Sequence, residues 1–135
     1  MSIQFSAAVR NAQLNAIFAT IGAAAKLMLY TGAEPANCAA AATGTLLATL
    51  TLPTTEENAA SGGVATIANG PWTGTASAAG TAEYFRIYDP TGTTCHMQGL
   101  VSLTGGGGDV TFDNNTFTVS QSLQFTGFTL TAGNA

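Results

Sequence analysis

The sequence predicts an all-β protein, an antiparallel β-sandwich of jelly-roll-like type with one short N-terminal amphipathic helix. Three observations carry this. Seven or eight short runs of alternating apolar and polar residues are separated by Gly, Pro, Asn and Asp turn signals. Only the N-terminal stretch has helical spacing. Thr81 to Leu103 holds two strand-like runs around Asp89-Pro90-Thr91-Gly92, which fits a type I turn with Asp first, Pro second and Gly last. The 135 residues are read as one domain, 1–135, with the helix over 6–22 and the sandwich over 26–133, long enough to bury a core without staples.

In chain order, Ser6 is placed to cap the helix. Leu14, Ile17, Phe18 and Ile21 recur on one face, and Gly22 closes it. A secretory leader with cleavage at Ala23-Ala24-Ala25 is the rival, but Asn15 and Thr20 interrupt its apolar region. Lys26–Thr31 is the first strand, and a loop of small residues containing Pro35 follows up to Gly44. Thr45–Leu52 alternates Leu46, Ala48, Leu50 and Leu52 against Thr49 and Thr51, stopping at Pro53. Thr54–Gly63 reads as a polar excursion with Glu56-Glu57 solvated. Val64–Ala68 is a strand, Asn69-Gly70-Pro71 a turn, and Thr73–Gly80 a loop. In the hairpin, Tyr84, Arg86 and Tyr88 alternate with Phe85 and Ile87, which predicts one buried face. Gly105–Gly108 is a turn, and the pairs Val110/Phe112 and Phe117/Val119 flank Asn114-Asn115. Leu123 and Phe125 are out of phase with Phe128, Leu130 and Ala132, which predicts a β-bulge at Gly127.

Composition excludes several functions. Apolar residues make up 46% of the chain and charged residues only 7%, against about 25% in an average soluble protein. Such a surface suits a subunit packed against neighbours. Net charge is −4, and Arg10, Lys26 and Arg86 are the only lysine or arginine cations, too few to neutralise a run of phosphates, so no direct nucleic-acid binding is expected. No apolar run reaches the roughly 18 residues of a membrane span. Cys38 and Cys95 lie 57 positions apart without metal-ligand spacing, and free thiols are the expectation, with a disulfide left open.

No catalytic signature stands out. His96 is the only histidine, with no ligand partner at strand or helix spacing, and an exposed strand residue is the simpler reading. The glycines at 105–108 are not followed by the Lys-Ser/Thr of a phosphate loop. Asp109, Asp113, Asn114 and Asn115 could offer oxygens to calcium, but turn formation explains them and they miss the EF-hand pattern. Trp72, Tyr84 and Tyr88 could stack on a sugar, although core or interface is the simpler place for them. Neither an enzyme nor a cofactor or metal site is expected.

The segments AVRNAQLNAI, KLMLYTGAEPANCAAAATGTLLATLTLP, GTASAAGTAEYFRIYDPTGTTCHMQG and GFTLTAGNA resemble a family of small tailed-phage and prophage structural proteins, collinearly from Ala7 to Ala135. In size, scarcity of charge and β-rich pattern the chain is similar to capsid cement proteins, which are often trimeric. The resemblance implies a decoration protein, made in the host cytoplasm and placed on the capsid exterior. Its partners would be the major capsid protein and itself, as a homotrimer. Leu14, Ile17, Phe18 and Ile21 of the helix, with Pro35 and Trp72, are the candidate contacts, and the loops 32–44 and 53–63 are candidate contacting elements. A tail or head–tail connector subunit and a carbohydrate-binding module are the alternatives.

Overall fold

A computed structural model describes residues 3–125 and 128–133. The fold is β-rich with one helix, α1 (Ala7–Ile21). The strands are β1 (Lys26–Tyr30), β2 (Leu46–Thr51), β3 (Val64–Thr66), β4 (Trp72–Thr75), β5 (Gly80–Thr81) and β6 (Tyr84–Tyr88). After them come β7 (Cys95–Leu103), β8 (Val110–Phe112), β9 (Thr116–Phe117), β10 (Ser122–Phe125) and β11 (Thr129–Thr131). A five-stranded sheet of order β2-β1-β6-β7-β8 forms the body, joined by the ribbons β10-β4, β11-β3 and β5-β9. The bridge Ala48↔Ala76 and the bond from Ser77 N to Leu47 O at 2.7 Å tie the end of β4 to the edge of β2. The sheet therefore curls around its own core.

The helix caps are as the sequence indicates. The Ser6 side chain accepts a bond from Val9 N, and Gly22, at φ 94°, donates its N–H to Phe18 O. Leu14, Phe18 and Ile21 are buried in the main core, and Ile17 packs against its edge. The polar face is also engaged. Arg10 Nε donates to Ala132 O at 3.1 Å, Asn11 Oδ1 accepts from Gly63 N at 2.7 Å, and Asn15 Oδ1 accepts from Ala60 N at 3.0 Å. The helix is thus fixed on both sides by its own chain.

The core is an aromatic network. Trp72 stacks on Phe125 at 5.4 Å between centroids. Phe125 touches Phe112 at 5.9 Å and Phe128 at 6.2 Å, and Phe128 meets Phe85 edge-on at 6.1 Å. These rings link β4, β6, β8 and β10, so ribbons and sheet share one interior.

Five sequence expectations are changed or left open by the structure. First, β7 and β8 run parallel, with Val101 opposite Val110 and Leu103 opposite Phe112. A connection this short between parallel neighbours is unusual, and the glycines allow it. Gly105 and Gly107 sit at φ 85° and 82°, while Ser102 Oγ accepts from Gly108 N at 3.0 Å. Second, Thr73-Gly74-Thr75 is strand, not loop, because β10 supplies its partner through Gln124↔Thr73 and Leu123↔Gly74. Third, β2 carries an irregularity: Leu29 faces Ala48 but Tyr30 faces Leu46. The extra residue turns Leu46 to the outer face and sends Leu47 into the core. Fourth, the hairpin strand β6 is buried on both faces along its whole length, since it lies in mid-sheet beneath a loop. Fifth, the bulge expected at Gly127 lies outside the described residues. On either side of it, β10 pairs with β4 and β11 with β3, so the phase change accompanies a change of partner.

Candidate functional site: the covered outer face of the sheet

Alternation places Leu27, Leu29, Phe85 and Ile87 on the core face and sends Lys26, Met28, Tyr30, Tyr84, Arg86 and Tyr88 outward. The pairing register arranges the outer face in rows. Leu46, Tyr30, Tyr84 and Leu100 form one; Thr49, Met28, Arg86 and Gln98 the next; Thr51, Lys26, Tyr88 and Cys95 the third. Tyr30 and Tyr84 stack at 5.0 Å, and the Tyr30 and Tyr88 hydroxyls lie 3.4 Å apart. Burial and the hydrogen bond to Tyr88 raise the Tyr30 phenol above its ordinary range.

The loop 32–44 closes over these rows. Arg86 Nη2 donates to Asn37 O at 3.1 Å and to Gln98 Oε1 at 2.9 Å. Gln98 Nε2 donates to Pro35 O at 2.6 Å, and Thr43 N donates to the Tyr84 hydroxyl at 2.9 Å. Gly44, at φ 74°, abuts the Thr31 carbonyl so closely that a Cβ would overlap it. Arg86 is only 2% exposed. Its hydrogen-bond partners are neutral, and its Nε has no protein partner. A guanidinium stays charged even here, so the Asn37 carbonyl, the Gln98 side-chain oxygen and the Tyr88 hydroxyl serve as its solvation shell.

Both cysteines belong to this site. Asn37 forms an Asx turn, its Oδ1 accepting from Ala39 N at 2.9 Å and Ala40 N at 3.0 Å, and that turn presents Cys38. Cys95, opposite Tyr88, donates its thiol to Met97 O at 3.4 Å and lies near enough to Cys38 to feel it electrostatically. Both are free and half-buried. Burial and the neighbouring Cys38 push the Cys95 thiol up to about 12.

A second buried ionisable group corrects the reading of Glu56 as solvated. Glu56 is 2% exposed, and its Oε2 has no protein partner. It borders a cavity of about 280 Å³ with Glu57, Asn15, Thr54 and the end of the helix. Burial, then repulsion from Glu57, raises its carboxyl to about 7 against a bond from the Ala25 backbone. Nothing in the TTEEN run signals this; the segment is drawn in because Ala68 N binds Glu56 O at 2.9 Å and Glu57 bridges Ile67.

The residues singled out from sequence do not gather at one place. Leu14, Phe18, Ile21 and Trp72 lie in the chain's own core, which leaves them no surface for a partner. Ile17 is half-buried at the core edge, and Pro35 is half-buried on the covering loop. The single Trp and all three Tyr are buried, so none offers the open ring that sugar stacking needs. Asp109 Oδ2 accepts from Leu100 N, Asp113 Oδ1 from Thr104 Oγ1, and Asn114 Oδ1 from Thr116 N, while Asn115 Nδ2 donates to Ala82 O. These four serve as local braces. His96 is exposed beside a shallow cavity of about 290 Å³ against Gln13, Ile17 and Thr20.

Among the described residues no cluster of three or more His, Cys, Asp or Glu is placed to hold a metal, and no helix is long and apolar enough to cross a membrane. The apolar surface lies elsewhere: Ile3, Val9, Leu46, Leu100, Leu103 and Val119 are exposed, at 68%, 43%, 37%, 49%, 50% and 62%. Comparison with protein families, curated proteins and solved structures finds no match to this chain.

Proposed function

We propose that this chain is a structural subunit of a tailed-phage virion, a capsid cement protein that sits on the outside of the shell and clamps major capsid subunits. In this reading its finer fold is a jelly-roll-like sandwich, and it acts as a homotrimer. The observation that carries the proposal is a charge-poor surface bearing large exposed apolar side chains on a domain whose core is already filled. The sequence resemblance from Ala7 to Ala135 supports the same reading.

The mechanism is mechanical. Since Leu14, Phe18, Ile21 and Trp72 are spent inside, the contacts fall to Leu46 and Leu100, which flank the covered sheet face, and to Leu103, Val9 and Ile3. Fully burying one such side chain contributes about 1.5–3 kcal/mol, less for one already half covered. Binding only to the assembled lattice adds that free energy to shell stability, and many weak sites act together. The test is immunogold electron microscopy of purified virions with an antibody to this protein. Label spread over the head is the expected result. Label confined to the neck or tail would replace cement with a connector role, and glycan binding by the purified protein would favour the carbohydrate reading.

A further inference from the structure

We propose that Cys38 and Cys95 form a site of oxidative modification, closing to an internal disulfide that staples the loop 32–44 to β7. The geometry is built by the chain itself. The Asx turn at Asn37 holds the Cys38 peptide. Arg86 Nη2 on Asn37 O at 3.1 Å and Gln98 Nε2 on Pro35 O at 2.6 Å fasten the same turn to the two strands beside Cys95. Arg86 reaches toward both cysteines, 57 positions apart in sequence: Nη2 to Asn37 O beside Cys38, and Nη1 to the hydroxyl of Tyr88 at 3.5 Å, opposite Cys95. Both thiols keep partial exposure through which an oxidant can enter.

The oxidant class is a small-molecule disulfide such as oxidised glutathione. The Cys38 thiol attacks it, forming a mixed disulfide and releasing one reduced glutathione, which takes the proton. Cys95 Sγ then attacks Cys38 Sγ, the mixed disulfide breaks, and a second reduced glutathione leaves with the Cys95 proton. Two electrons pass from the protein thiols to the reagent, and no other reactant is needed. A Cys95 thiol held up near 12 makes the second step slow at neutral pH and faster in alkali. The staple would outlast the loop's hydrogen bonds in any setting more oxidising than a cytoplasm.

The inference does not depend on a virion role and is tested on the purified full-length chain. Reduced protein is treated with oxidised glutathione, then read by intact mass, peptide mapping and thermal unfolding. The expected product is monomeric, lighter by two hydrogens, free of glutathione, and linked 38 to 95. Its melting temperature should rise by on the order of 10 °C, as expected for cross-linking so long a loop, and dithiothreitol should reverse the rise. Cys38→Ser should instead retain one glutathione on Cys95, and Cys95→Ser one on Cys38. Stable glutathione on the wild-type chain, disulfide-linked dimers, no reaction, or a 38–95 link without higher melting temperature would each overturn the proposal.

Discussion

Glu56 makes the stability of this protein fall as pH rises. In the folded chain its carboxyl holds a proton up to about 7, against 4.5 for an ordinary glutamate. Between those values the folded state binds more protons than the unfolded one, so unfolding releases a proton and becomes easier with each step in pH. The contribution is fully present below about 4.5, declines through the interval, and is gone above about 7. The difference corresponds to about 3 kcal/mol, or roughly 10 °C in melting temperature for a chain of this size. Circular-dichroism melts or urea titrations from pH 4.5 to 8.5 should show that decline in the wild type. Glu56→Gln keeps the side-chain shape and cannot ionise, so its curve should be flat over the same interval, whatever its absolute stability. A wild-type curve without the decline, or a Glu56→Gln variant that keeps it, would refute the placement of this carboxyl.

Three further outcomes follow from the outer face and the hairpin turn. Gly44→Ala forces a Cβ onto the Thr31 carbonyl at positive φ and should cost at least about 2 kcal/mol, read as a lower urea midpoint with unchanged slope. Arg86→Met strips donors from Asn37 O and Gln98 Oε1. It should cost about 1–3 kcal/mol and speed limited proteolysis within 33–43; an unchanged cleavage pattern would show that the loop is held by something else. Asp89→Ala removes the acceptor for Thr91 Oγ1, Thr93 N and Thr94 N, the bonds that hold its carboxyl down at about 2. Its melting temperature should lie below wild type near neutral pH. The two should converge as pH falls toward 2, where the wild-type carboxylate takes up its proton.

The features governed by local rules were legible. Ser6 and Gly22 as helix caps and the Asp89–Gly92 turn depend on neighbours within a few residues, and they are found where sequence patterns put them; the first strand starts at Lys26 as expected and stops at Tyr30, one residue short of Thr31. What escaped depends on remote partners. Thr73-Gly74-Thr75 becomes a strand because β10 returns beside it, and Leu46 leaves the core because β1 sets a register with one residue to spare. Arg86 looked like one polar position of a half-buried strand. Only a covering loop, itself unreadable as a lid from its run of alanines, makes it an interior cation. The helix was read correctly as having one apolar stripe, but its partner is the chain's own core, and no pattern within fifteen residues states which surface will receive that stripe.

The bond between Arg10 and the Ala132 carbonyl spans 122 positions, and Asn11 fastens the turn that leads into β3, the partner of β11. The order of events in folding follows from this. The helix packs against β3 and is bonded to a carbonyl just past β11, 122 positions away, so its docking is complete only when those distant segments are in place. Pairings of such long reach place a chain among the slow folders, in milliseconds to seconds, and delay full docking of the helix until β11 has paired with β3. Among the described elements the first thus waits on the last, and that interval is when a partly folded chain is most exposed to association with other chains.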